Sequence, residues 1–182
     1  MSNIVLIAAV AQNRVIGHNG GLPWKFPEYE IFYKQKIRDH VAIMGSKTFE
    51  SLDQEIPTKF NIVLSQKNKF CQKLMCSKTE IFNNLQFAID RAKIIEGAST
   101  KPEDRKKIFI LGGSGIYKKC MKIADEIIIT KIDKDFDGDI FFPEIPSSIF
   151  KPVYIDRELL AEKPNSFNYR FEYYRRCQTL PS

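Results

Sequence analysis

Residues 15–30, V-I-G-H-N-G-G-L-P-W-K-F-P-E-Y-E, concentrate the groups in this chain that could act on a small molecule. Three glycines (Gly17, Gly20, Gly21), two prolines (Pro23, Pro27), the one tryptophan (Trp24) and two carboxylates (Glu28, Glu30) share that stretch. The glycines permit a backbone with positive φ at little cost. Pro27 suits a first helical position, and Glu28 and Glu30 then fall in the first turn, where the helix dipole favours negative charge. A flexible loop closing over an acid-bearing helix is one reading; an ordinary strand-to-helix connection with a buried tryptophan is the other. Other chemistries lack their parts. The four cysteines (Cys71, Cys76, Cys120, Cys177) show no C-x-x-C spacing, and with only His18 and His40 no zinc set can be assembled. Gly112-Gly113-Ser114-Gly115 fits neither G-x-G-x-x-G nor G-x-S-x-G, and Gly45-Ser46-Lys47-Thr48 lacks the upstream glycine of a P-loop. Carboxylate, hydroxyl and backbone remain, which suits chemistry carried by a cofactor.

Strands and helices must position these groups. Residues 4–11 (I-V-L-I-A-A-V-A) are near-continuously apolar, as a strand covered on both faces should be. In the helix expected over 27–38, Tyr29, Phe32, Tyr33 and Ile37 share one face, which points inward. Further strands are expected at 40–44, 60–64, 108–111 and 126–131, with a short one around Leu74-Met75. Short helices should follow Gly45 (46–52) and Gly115 (through 123). A longer amphipathic helix is expected over 79–95, capped by Thr79 or Ser77. Residues 96–107 read as a polar surface loop. The end reads as a hairpin, 153–155 with 169–175. The alternation argues for a mostly parallel α/β sheet with helices on its faces and an antiparallel C-terminal hairpin, in a single domain over 1–182. Ligands in such sheets bind beyond the carboxyl ends of the strands. There lie residues 12–24, Gly45–Thr48, Ser65-Gln66-Lys67 and Gly112–Gly115, whose small residues and backbone donors suit phosphate groups and point to a nucleotide.

Composition bounds the rest. The chain has 182 residues, 43% hydrophobic and 27% charged, ordinary for a globular protein of one domain. No run approaches a membrane span, and the first apolar run lacks a basic segment before it, so a secretory signal is not expected. Reduced thiols in the cytoplasm are the expectation, and a monomer. The net charge of +6 is spread over separate lysine groups without interleaved aromatics, so nucleic acid is not an expected partner.

Taken in order, the segments resemble dihydrofolate reductase. The resemblance rests on I-A-A-V-A-Q-N-R-V-I-G (7–17), L-P-W (22–24), I-M-G-S-K-T-F-E-S-L (43–52) and N-I-V-L-S (61–65). It continues through I-L-G-G-S-G-I-Y (110–117), I-T-K-I-D (129–133), G-D-I-F-F-P (138–143) and F-E-Y-Y-R-R (171–176). It implies a three-layer α/β/α fold, NADPH as cofactor and dihydrofolate as the small-molecule substrate. By that resemblance residues 17–24, Leu22 among them, form a mobile loop braced by Gly138-Asp139. Trp24 holds an ordered water, and Gly112-Gly113 forms a cis peptide. Ile7, Val10, Leu111 and Tyr33 would line the substrate pocket, with Leu52, Ile56 and Tyr117 around it. Ala9, Ile16 and Gly17 would border the nicotinamide. Gly45, Ser46, Lys47 and Thr48 would bind the dinucleotide, together with Leu64, Ser65 and Gln66. Ser114, Gly115 and Ile116 would complete that side.

Three departures from the family pattern carry expectations of their own. The family places an acid five or six residues after the tryptophan, where it accepts paired hydrogen bonds from the pterin. The shorter spacing puts Tyr29 there and the longer one Glu30. Since a phenol cannot make the paired bond, Glu30 is expected to face the pterin with Thr130 behind it and Tyr29 nearby. The family's tail-binding arginine is replaced by Lys59, and the arginine beside the Gly45 position by Ser46, with Lys47 and Lys67 left to meet a 2′-phosphate.

Overall fold

β1 (Asn3–Val10) is the central strand, and all of it but Asn3 is buried. Burial on both faces is why its sequence reads as an unbroken apolar run. The computed structural model describes residues 3–52, 55–66, 78–97, 106–156 and 167–177. Lys67 and the strand expected around Leu74-Met75 lie outside the described residues.

In chain order β1 is followed by β2 (Val15–Gly17), α1 (Pro27–Ile37), β3 (Val41–Gly45), α2 (Ser46–Glu50) and β4 (Phe60–Leu64). Then come β5 (Thr79–Phe82), α3 (Leu85–Glu96), β6 (Lys107–Ile110), α4 (Ser114–Cys120) and β7 (Glu126–Ile132). β8 (Ile140–Phe141), β9 (Phe150–Ile155) and β10 (Tyr169–Arg176) complete the described chain. The sheet has eight strands in the order β5-β4-β3-β6-β1-β7-β10-β9. The first six run parallel, while β10 is antiparallel to both β7 and β9.

Alternation along β1 sorts the core into two layers. Ile4, Leu6, Ala8 and Val10 face α3 and α4, packing with Ala88, Ile89, Ala92 and Cys120. Val5 and Ile7 face α1 and α2, packing with Ile37 and Phe49. The three-layer α/β/α arrangement is therefore present. In α1 the expected inward face holds: Tyr29 and Ile37 are buried, Phe32 and Tyr33 half-buried. Tyr169 and Phe171 of β10 meet this helix through rings, Phe26 with Tyr169 at 4.7 Å and Phe32 with Phe171 at 4.0 Å.

One element differs in kind from the sequence expectation. Residues 79–82 form β5, parallel to β4, and the helix begins only at Leu85. Its cap is Asn84, whose side chain accepts from the N–H groups of Gln86 and Phe87. A second feature was unforeseen: β2 and β8 pair as a small antiparallel sheet beside the main one.

Candidate active site

The site starts where β1 and β6 part. Their ladder ends at Leu6 with Ile110, yet β1 continues to Val10, so its backbone beyond Leu6 faces an opening on that side. Side chains occupy part of it. The Tyr117 hydroxyl donates to the Ile7 carbonyl at 2.7 Å, and Tyr29 packs beside Ala9. Tyr29 is 7% exposed, with its ring 5.5 Å from that of Tyr33 and stacked on Phe26 at 6.2 Å. Burial, then the neighbouring Tyr33, push its hydroxyl well above the usual phenol range, with the Ala9 backbone opposing them only in part. Burial does the same to Tyr33 and Tyr117, so all three phenols keep their protons at neutral pH.

Two further polar atoms converge on this point. Thr130 pairs in register with Ala9 and is completely buried, and Trp24 is 6% exposed. Thr130 Oγ1 and Trp24 Nε1 are both buried without a hydrogen-bond partner. Buried polar atoms are seldom left unpaired, because each costs about 1–3 kcal/mol. Two of them beside one cleft mark a place that a ligand or water completes.

The other wall is built for close approach. The peptide between Gly112 and Gly113 is cis, as the resemblance implied. Gly45 N–H donates to Gly112 O at 2.7 Å, and Leu111 N–H donates to Ile43 O at 2.9 Å. A Cβ on Gly45 would stand 3.3 Å from Ile116 Cδ1, and one on Gly113 would stand 3.6 Å from Thr48 Oγ1. The glycines thus leave a cradle that side chains would fill, between the first turns of α2 (Ser46, Lys47, Thr48) and α4 (Ser114, Gly115, Ile116). Leu64 ends β4 beside it, and beyond that end Ser65 N–H donates to Phe82 O and Gln66 Nε2 to Asn83 O. This cradle fits a dinucleotide, whose phosphates need backbone donors and small residues.

The loop over the cleft is latched. His18 and Gly21 exchange backbone hydrogen bonds around Asn19 and Gly20, both with positive φ. Asp139 holds the loop twice, its N–H donating to Gly17 O at 3.1 Å and its carboxylate accepting from Asn19 N–H at 3.2 Å. Gly138 lies so close to Val15 and to Gly17 O that no side chain fits there. The Lys131 ammonium donates to the carbonyls of Ala11 and Gln12 at the loop's root.

The family model described as "Dihydrofolate reductase" matches residues 3–176. The chain belongs to the dihydrofolate reductase family. Among curated relatives, the dihydrofolate reductase of Staphylococcus haemolyticus is 31% identical over 96% of each chain. That of Buchnera aphidicola from Acyrthosiphon pisum is 33% identical over 93% of this chain and 97% of its own. Among solved structures, dihydrofolate reductase from Enterococcus faecalis complexed with NADP(H) aligns with a TM-score of 0.80 at 25% identity, covering 97% of each chain. The α/β family fold, with its antiparallel C-terminal strands, is the one described above.

Within that family frame, three residues, Glu30, Val10 and Lys59, sit differently from the sequence expectation. Glu30 does not face the cleft floor; it is exposed, and Tyr29, one residue earlier, turns inward. The reason is packing: Tyr29 shares the α1 face that must be buried with Tyr33 and Ile37, and Glu30 lies about 100° around the helix from it. Val10 points to the α3 and α4 layer, opposite to Ile7, so it is core and not cleft. Leu22 is 54% exposed on the loop. Lys59 is turned toward α3, donating to Ile95 O at 2.8 Å and lying 3.9 Å from the buried Glu96 carboxylate, so its ammonium is engaged there instead of facing a substrate tail. Ile7, Leu111, Leu52 and Ile56 gather with Tyr33 in the layer under α1 and α2, and Ala9 lies with Trp24 and Tyr29. Ile16 is half-buried on β2 and Gly17 closes that strand.

Proposed function

We propose that this chain reduces dihydrofolate to tetrahydrofolate with NADPH, in a cytoplasmic compartment and as a monomer. The carrying observation is the pair of partnerless buried atoms, Thr130 Oγ1 and Trp24 Nε1, beside the glycine cradle of Gly45, Gly112 and Gly113. Family membership supports the reaction, and the NADP(H) complex of the Enterococcus faecalis protein supports the cofactor. The free thiols of Cys120 and Cys177 are in keeping with the compartment. Among the described residues no helix is long and apolar enough to cross a membrane.

NADPH, when bound, supplies the hydride. Backbone donors at Gly45–Thr48 and Gly113–Gly115 hold its phosphates, with Ser65 and Gln66 beside them, and Lys47 contributes positive charge. Ala9, Ile16 and Gly17 border its nicotinamide. Ile7, Leu52, Ile56 and Leu111 supply the apolar wall for a flat heterocycle, and Tyr33 and Tyr117 close its base. The loop from Gly17 to Trp24, latched by Asp139, keeps bulk water from the reacting face. Trp24 and Thr130 hold the water that carries a proton to the imine nitrogen.

Tyr29 inward and Lys59 engaged elsewhere favour one alternative, a reductase of the same fold acting on another neutral heterocycle. The test is the loss of reduced-nicotinamide absorbance when dihydrofolate is added to purified protein, run with NADPH and with NADH. Turnover that prefers NADPH is expected. NADPH binding without dihydrofolate turnover would favour the alternative.

A further inference from the structure

Tyr29, Thr130 and Trp24 meet around Ala9, and the hydrogen-bonding polarity of the three is unusual for a site that handles a basic heterocycle. The Tyr29 hydroxyl is buried and keeps its proton, so it is a neutral group that can donate or accept. Trp24 Nε1 can only donate. Thr130 Oγ1 can donate or accept, and it is buried with no partner at all. Carboxylates do not offset this. The acids buried among the described residues are Glu96 and Glu172. Glu96 lies at the end of α3 against Val41, and Glu172 is bonded to Arg170 and Tyr174, one residue beyond Phe171, the partner of Thr130. Successive strand residues point to opposite faces, so Glu172 is on the far side of the sheet from Thr130.

We propose that this floor of neutral groups, with no carboxylate among them, makes Tyr29 the specificity-determining residue of the cleft, selecting a neutral heterocycle and rejecting one that is protonated there. The inference rests on the reading of the cleft as a pterin-type site. Its physical basis is polarity. A carboxylate accepts two N–H groups and favours a cationic edge, whereas two hydroxyls and an indole N–H bring no negative charge to meet one. A protonated ring would bury its charge in a dry place with no counter-charge beside it.

The single tryptophan lies in this floor, so its fluorescence reports occupancy directly. A simple diaminopyrimidine is titrated into the protein above and below the probe's own pKa, with and without NADPH, beside a neutral amino-oxopteridine. The unmodified protein should bind the neutral form of the diaminopyrimidine at least tenfold more tightly than its cation. Tyr29→Asp should reverse that order, binding the cation at least tenfold more tightly. Tyr29→Phe keeps the ring and the fold and should weaken the amino-oxopteridine several-fold, so the proposal stays testable if the aspartate variant does not fold. Tighter binding of the cation by the unmodified protein, affinity independent of probe charge, or no quenching by either probe would each overturn it. Cation binding that disappears in Glu30→Gln would overturn it too, by assigning the charge to Glu30. Charge selectivity without dihydrofolate turnover would leave this inference standing and remove the reaction proposed above; turnover with tight cation binding would do the opposite.

Discussion

Gly138→Ala should loosen the loop that closes the cleft, because the space for a side chain is missing. A Cβ there would overlap Val15 Cγ1 and stand 2.6 Å from Gly17 O. Ordinary carbon contacts begin near about 3.5 Å, so one side must move by roughly 1 Å. Val15 cannot easily yield. It is 1% exposed, and its β-branched side chain has few alternative rotamers. Gly17 O is backbone and already accepts from Asp139 N–H. Residues 138–139 are therefore the part that shifts, carrying β8 away from β2 and stretching both Asp139 contacts. Overpacking costs about 1–3 kcal/mol, and each lost hydrogen bond about 1 kcal/mol. Together they come to about 3–5 kcal/mol, concentrated in the latch. Thermal melting should show a lower Tm, and kcat should fall by up to about 100-fold, the scale expected for a misplacement near 1 Å. Gly115→Ala provides the stability control: nothing stands within 4 Å of its Cβ, and it lies in α4, so its Tm should be equal or higher. Parental Tm and kcat in Gly138→Ala would refute the argument that this glycine spaces the latch.

Two other sites give separate expectations. Burial raises the Glu96 carboxyl, but the contacts from His40, the Val41 N–H and Lys59 outweigh it and hold the group below its ordinary value. Its stabilisation is thus full above the unfolded-state value and is lost as pH falls through the lower folded-state value. Glu96→Gln should cost about 1–3 kcal/mol at neutral pH, with the gap to the parent closing in acid; a gap in urea midpoints that is constant with pH would contradict this. Lys59→Ala should alter KM for dihydrofolate little, and a large rise in KM would return Lys59 to the substrate. Burial pushes the Cys120 thiol up to about 12, so peptide mapping after native alkylation near pH 8 should find Cys120 unlabelled.

Much of this was legible in the sequence because burial and turn chemistry leave local marks. The unbroken apolar run of β1 announced a strand buried on both faces, and Pro27 announced the start of α1. What failed was direction. Phe82, Leu85, Ala88, Ile89 and Ala92 fall on one helical stripe, so periodicity ran the helix straight through residues 79–82; pairing with β4 decided otherwise, and the real cap, Asn84, stood inside the expected helix. Glu96 opened a polar run that reads as surface, yet it is buried against Val41, and it draws Lys59 away from the cleft. Neither contact has a local sequence signal, because each joins residues far apart in the chain. For Tyr29 and Glu30 the helical face and the family's need for an acid point to different residues. Packing won: the aromatic residue took the buried position.

Hydride transfer within the cleft is the central claim, and a single turnover with NADPH deuterated at the transferring position tests it most directly. Enzyme in excess over dihydrofolate is quenched and the folate product weighed by mass spectrometry. Tetrahydrofolate carrying the deuterium, formed at a rate that Gly138→Ala slows, is the expected result. Dihydrofolate recovered unchanged beside intact labelled NADPH, in protein whose Trp24 fluorescence shows both ligands bound, would contradict the account.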